Sequence, residues 1–324
     1  MRRTLPFLLI LTGIAASLHT DAEVPFNGKS GVALRNSLYE NFKPGRTVSS
    51  REISSEIYDP FSGVVVRVSG GMLPEGYTWG GLVPAEWWSY APELMEASMA
   101  DLFNLFPLHK DVVTYRKELT PGDVTEAIFD NGRWKAGTGM MYGTLTELYS
   151  PPEEFRGELA RVYFYMALMY PSMIWSPRGF MMMDANVYPV FNVYARQLLM
   201  GWHKLYPVSD AERSKNDAVE RQQMNRNPFV DFPELADYLW GDLAGEIYLV
   251  PGEPVPLRAV YSLNDERIDL ISPYIASDAV WSIDGLPASG GTYTPAELGV
   301  GKHHLAYTSP STGVKGYIMI TINR

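Results

Sequence analysis

Hydrophobic positions follow a helical period in the middle of the chain and a period of two towards its end. Behind Pro151-Pro152-Glu153-Glu154, the residues Phe155, Leu159, Val162, Tyr163 and Met166 form one stripe. This predicts a core helix with prolines and acids at the positive end of its dipole. A second helix is predicted after Tyr188-Pro189, where Ala195, Leu198, Leu199 and Trp202 are in register beside His203. Val32, Leu34, Leu38, Tyr39 and Phe42 predict an amphipathic helix capped by Ser30, and Ser209-Asp210-Ala211-Glu212 reads as a capping box. A turn at Tyr58-Asp59-Pro60-Phe61-Ser62-Gly63 leads into a β-branched strand, Val64 to Val68. After Gly245 the pattern changes. Val255, Leu257, Ala259 and Tyr261 alternate, as do Ile318, Ile320 and Ile322, with turns at Asp284-Gly285, Gly290-Gly291 and Ser309-Pro310. A small all-β sandwich is expected there, behind a larger α+β region. His303 and His304 are neighbours on a strand, so they point to opposite faces and cannot share one metal.

The stretch from Glu75 to Glu118 carries little chemistry. Its paired tryptophans, Trp87-Trp88, and the alternation Asp101-Leu102-Phe103-Asn104-Leu105-Phe106 predict buried strand or turn segments around a helical spacer, with Pro84 and Pro107 as stops. Hydrolysis needs a general base, or carboxylates and amides converging on a metal. The only histidine in this stretch is His109.

Composition narrows the options. A chain of 324 residues with 46% apolar content suits two domains with packed cores. The absence of cysteine excludes disulfides, thiolate zinc sites and a cysteine nucleophile. A net charge of −10 works against nonspecific phosphate binding unless a local basic face exists. Met1-Arg2-Arg3 and the apolar run Leu5 to Leu18 read as a secretory signal, with small residues at Ala15/Ser17 or Thr20/Ala22 for cleavage. The run is shorter than the roughly 20 residues that span a bilayer. A secreted or periplasmic protein without a transmembrane segment in the mature chain is expected. The expected organisation is a signal peptide at 1–22, an α+β domain at 23–244 and the β-sandwich at 245–324. Gly28-Lys29-Ser30 lacks the spacing of a phosphate loop, and Met181 to Met183 read as core filler.

The segments Gly80-Gly81-Leu82-Val83-Pro84-Ala85-Glu86-Trp87-Trp88, Asp101 to Pro107, and Val113 to Glu118 resemble the endonuclease I family of secreted, metal-dependent nucleases. The paired prolines at 151 and 152 with Ala160-Arg161-Val162-Tyr163-Phe164-Tyr165-Met166-Ala167, and Asn225-Arg226-Asn227-Pro228-Phe229-Val230-Asp231-Phe232-Pro233-Glu234-Leu235, extend the resemblance over roughly residues 24 to 241. It implies a His-Me finger (ββα-metal) domain, in which a histidine activates water and a Glu and an Asn hold one magnesium. Anchored on Pro84 and the tryptophans, Gly80 takes the place of the family's metal-binding Glu and Gly81 that of its general-base His. Val113 replaces the metal-binding Asn, Arg116 matches the family Arg, and Glu118 replaces a final Asn. Phe103 and Phe232 stand where the family has further histidines. Residues 291–307 resemble immunoglobulin-like modules of secreted bacterial proteins.

The resemblance therefore implies a nuclease scaffold without its chemistry, acting as a binding or structural module. No cofactor is expected of such a protein. The alternative is an active nuclease with a rebuilt site, using His109 as base, Glu86, Asp111 or Glu118 as magnesium ligands and Arg116 on the phosphate. Nucleic acid and an unknown extracellular ligand, bound through exposed aromatics, are both open as partners.

Overall fold

The computed structural model describes residues 24–88, 92–184, 187–250, 257–271, 278–311 and 313–324. The predicted signal segment, 1–22, and Val255 lie outside the described residues.

Helix α1 (Gly31–Phe42) opens the fold and buries Leu34 and Leu38. Ser30 precedes it in extended conformation, but its side chain makes no capping bond. The preceding residue, Lys29, is instead fixed by a β-bridge to Tyr248. An antiparallel pair follows, β1 (Ser55–Asp59) with β2 (Val64–Val68). The next hairpin pairs β3 (Tyr77–Gly81) with β4 (Leu105–His109) across helix α2 (Pro92–Ala100). Pro107 is not a stop. It lies inside β4 opposite Trp79, which a two-stranded ladder tolerates because each strand keeps one open edge. A four-stranded sheet comes next, from β5 (Thr120–Pro121), β6 (Glu126–Asp130), β7 (Lys135–Met141) and β8 (Thr144–Ser150), in the order β5-β8-β7-β6.

Helix α3 (Arg156–Met169) is the centre of this region. A single apolar stripe was the expectation, but Gly157 and every residue from Leu159 to Met169 are buried. A helix enclosed on all sides must neutralise any charge it carries. Arg161 does so through a two-pronged ion pair with Glu212, both contacts at 2.6 Å. Around it stand α4 (Val193–Leu205), α5 (Asp210–Gln223), α6 (Pro228–Asp231) and α7 (Leu235–Trp240). Ser209 caps α5 by accepting from Glu212 N at 3.2 Å. The reciprocal half of the expected capping box is missing because the Glu212 carboxylate is committed to Arg161. One hydrophobic core runs through all these elements, from Phe26 to Val250.

A second core, from Tyr261 to Ile322, belongs to the last stretch. Its strands are β9 (Val260–Ser262), β10 (Ile268–Asp269), β11 (Val280–Ile283), β12 (Leu286–Pro287) and β13 (Thr292–Tyr293). After the short helix α8 (Pro295–Leu298) come β14 (Gly301–Thr308) and β15 (Lys315–Asn323). Five strands form a sheet in the order β12-β11-β14-β15-β9, antiparallel except for β15 with β9. The β10–β13 ribbon adds Ile268 and Tyr293 to the same core as Trp281, Leu305 and Ile320. His304 lies exposed against Tyr317, with ring centroids 5.2 Å apart, while His303 points inward. The His303 ring bridges Asp284 Oδ2 at 2.8 Å and the Gly299 carbonyl at 3.0 Å. Burial opposes its charge, but these two acceptors outweigh burial and raise its pKa above the ordinary histidine value.

Candidate functional site

Strand β3 ends at Gly81, and the chain leaves it under tight restraint. Asn104, fully buried, accepts from Val83 N at 2.8 Å and donates to the carbonyls of Ser98 and Val83. Its own carbonyl accepts from Leu82 N at 2.9 Å. From the other side the buried Arg116 guanidinium donates to the carbonyls of Leu82 and Gly81, at 2.9 and 2.8 Å. Arg116 thus serves the backbone of the strand end. A β-carbon on Gly81 would fall 2.5 Å from the Val83 carbonyl oxygen and 2.9 Å from both Asn104 Nδ2 and Met99 Cε. The position is closed to any side chain unless the backbone moves. Gly80 is less confined, because its β-carbon would meet the flexible end of Leu108, at 2.6 Å.

The other positions that the resemblance singles out are two packed rings and one half-exposed aliphatic side chain. Phe103 is buried with its ring 4.6 Å from that of Tyr165, and Phe232 lies edge-on to Phe26 at 5.4 Å. Val113 sits on a single π-helical turn, Val112–Arg116, and is 48% exposed.

Of the rebuilt-site candidates His109 and Asp111 come together, while Glu86, Arg116 and Glu118 are engaged elsewhere. Tyr77 pairs with His109 and Gly81 with Leu105, so His109 stands at the opposite end of the hairpin from Gly81. Four residues of strand separate them by about 13 Å. Its ring lies edge-on to Tyr77, and its Nδ1 is 3.2 Å from Asp111 Oδ2, a carboxylate two residues along the same turn. Beside it Asp59 is buried and accepts from the amides of Phe61 and Ser62, and burial pushes its carboxyl above the usual range. Glu118 pairs with Arg178, and its carbonyl accepts from Trp87 Nε1 at 2.9 Å. Glu86 is exposed, with its backbone carbonyl bonded to Ser176. Among the described residues no three His, Asp or Glu side chains group to hold an ion. Gly80 and Val113 supply no side-chain oxygen, and magnesium, which fills its octahedral shell largely with water and phosphate oxygens, still needs one or two carboxylate or amide oxygens from the protein. The residues at the two positions that the resemblance assigns to the metal therefore do not fit magnesium.

His203 is structural in its setting. Its Nε2 donates to the Pro233 carbonyl at 2.9 Å, and its Nδ1 faces Arg161 Nη1 at 3.4 Å. Burial, reinforced by the Arg161 charge, lowers its pKa to about 4. Sequence reasoning missed Asn104, although an asparagine within an apolar run is a signal that its amide must be satisfied internally.

The description "Endonuclease I" belongs to a family model that matches residues 47–234. "Extracellular ribonuclease" of Bacillus subtilis (strain 168) is 34% identical over 116 residues, 35% of this chain and 39% of that protein. The protein of the same name from Bacillus amyloliquefaciens is 32% identical over 121 residues, with the same shares. "Endonuclease-1" of Buchnera aphidicola subsp. Acyrthosiphon pisum (strain APS) is 25% identical over 131 residues, 40% of this chain and 44% of that protein. The chain thus spans only about two fifths of the length of the curated relatives it matches. Because the family match covers more than half of the chain and takes in the whole β3–β4 hairpin, the chain belongs to the endonuclease I family.

Proposed function

We propose that this chain is an exported pseudo-nuclease, an endonuclease I scaffold that has lost hydrolysis and works as a binding or structural module. One observation carries the reading: the general-base position is Gly81, and its surroundings have closed over the space that a side chain would need. Drift at one residue would leave a hole, whereas here the Val83 carbonyl, Asn104 and Met99 fill it. Phe103 and Phe232 add to the case, since each replaces a polar ring by core packing. Export rests on the charged and apolar start of the sequence, and relatives carrying the name extracellular ribonuclease accord with it. Among the described residues no helix is long and apolar enough to cross a membrane. The organisation proposed is a signal segment at 1–22, the scaffold at 23–244 and an immunoglobulin-like sandwich at 245–324, whose separate core supports the division.

The experiment is cleavage of supercoiled plasmid and of RNA by purified protein, with magnesium, manganese or chelator, beside a His109→Ala variant. No cleavage by folded protein is expected. Metal-dependent cleavage lost in His109→Ala would overturn the proposal and establish a relocated base. Residual binding of nucleic acid through the old groove would show itself as an affinity that falls steeply with salt.

A further inference from the structure

A cavity of about 390 Å³ opens between β1, β4 and helix α5. Its walls are Ile57, Leu102, Leu105, Phe106, Phe155 and Val219. The cavity exists because of what α5 presents to it. At Ala211, Ser214 and Ala218 the helix offers small side chains where larger ones would fill the gap to β1 and β4. β1 and β4 belong to separate two-stranded sheets, and both contribute residues to the lining. The cavity is open to solvent along the side where Glu56, Ala211 and Ser214 are exposed, its floor is apolar, and its volume falls in the range of small-molecule sites.

The charges around it limit what could enter. Glu56, Glu158 and Lys215 are the ionised side chains of the lining. Lys215 Nζ donates to Glu158 Oε1 at 2.9 Å and rests 3.8 Å above the Phe106 ring. Glu56 is engaged by Arg67 at 2.7 Å. The half-buried Lys215–Glu158 pair is thus compensated internally, the Glu56–Arg67 pair is exposed to solvent at the rim, and an ion entering beside Lys215 and Glu158 would face one partner of like sign. The same groups, with the Ser55 and Ser214 hydroxyls and the Gln222 amide, offer donors and acceptors side by side, which suits an uncharged dipole.

We infer that this cavity is a binding site for a neutral amphiphile: an unbranched apolar chain seated against Phe106 and Val219, with an uncharged hydroxyl or carbonyl head at the Lys215–Glu158 pair. The site is independent of whether the hairpin cleaves phosphodiesters, so it stands or falls apart from the pseudo-nuclease reading.

Calorimetric titration of the full chain with 1-hexanol, 1-octanol and 1-decanol, and with decanoate and decylammonium, tests it. Saturable binding of one alcohol per chain is expected, tightening about fourfold per added methylene, as burial of each methylene implies. The two ions should bind about tenfold or more weaker than decanol, because each must lose its hydration without a free partner. Ala218→Leu, which places three more carbons in the cavity, should weaken decanol binding about tenfold or more while keeping the native circular dichroism. Should that variant not fold, Ser214→Leu fills the same wall from another turn of α5. No saturable binding of decanol, equal or tighter binding of either ion, or undiminished binding in a folded cavity-filling variant would each overturn the assignment.

Discussion

Placing a methyl group on either glycine of the hairpin end gives a sharp test of the proposal that Gly81, the position the resemblance gives to the general base, is closed to side chains. In Gly81→Ala the new carbon would lie 2.5 Å from the Val83 oxygen and 2.9 Å from Asn104 Nδ2. Carbon contacts are comfortable only near 3.5–4.0 Å, so the turn must retreat by about 1 Å. Overpacking of this kind costs about 1–3 kcal/mol, and the retreat also stretches the Asn104 bonds to Val83, of which a buried one contributes about 1 kcal/mol. A destabilisation of about 2–4 kcal/mol is therefore expected. Gly80→Ala differs in kind, since its methyl meets only the end of the Leu108 side chain. The rotamer shift there, of about 0.5–1.5 kcal/mol, is offset by removal of a flexible glycine from a strand, so stability should stay within about 1 kcal/mol of wild type. Urea unfolding followed by tryptophan fluorescence reads both values. If Gly81→Ala proved as stable as Gly80→Ala, the packing argument would be wrong and Gly81 would be an accidental vacancy.

Removing one partner of the buried Arg161–Glu212 pair, as in Glu212→Ala, should cost about 3–5 kcal/mol by denaturant unfolding, because a guanidinium is stranded inside α3. The two inward histidines pull stability in opposite directions with pH. His203, held near pKa 4, resists a proton that the unfolded chain accepts near 6.5, so stability is lost as pH falls from about 6.5 to 4. His203→Gln should flatten that acid limb in thermal melts taken at successive pH values. His303 has the reverse sign: its raised pKa gives stability that is full below about pH 6.5 and lost as pH rises through the folded value. In Asp284→Asn that alkaline loss should shrink, and the His303 ring should titrate lower by NMR.

Much of the architecture was legible in the sequence because strong periodicity survives any tertiary context. The stripe through Phe155 to Met166 became α3, and the change to alternation after Gly245 became the β-rich end with its own core. What failed was whatever depended on a distant partner. Ser30 precedes α1 without capping it, since the bridge to Tyr248 already fixes that entry, and Glu212 abandons its box for Arg161, fifty-one residues earlier. At the site, the residues marked as chemically empty came from the family resemblance, anchored on Pro84 and the paired tryptophans. Their closure could not be read there, because nothing in Gly80-Gly81 tells which glycine faces a backbone oxygen and which a leucine tip. Cross-strand register likewise decided His109: its place opposite Tyr77 puts the length of the hairpin between it and Gly81.

The parallel pairing of β15 with β9 has a consequence for how the chain is made. Strand β9 emerges from the ribosome at Val260, but the strand it pairs with begins at Lys315, after β11 and β14 have already been synthesised. Until then β9 has no ladder to join, and the edge of β14 that β15 will cover stands open. Non-local closure of this kind is slow, and it leaves an unpaired edge exposed to other nascent chains. Residues that feed the first core are complete by Val250, so that region can finish folding while the last sheet is still waiting for its final strand.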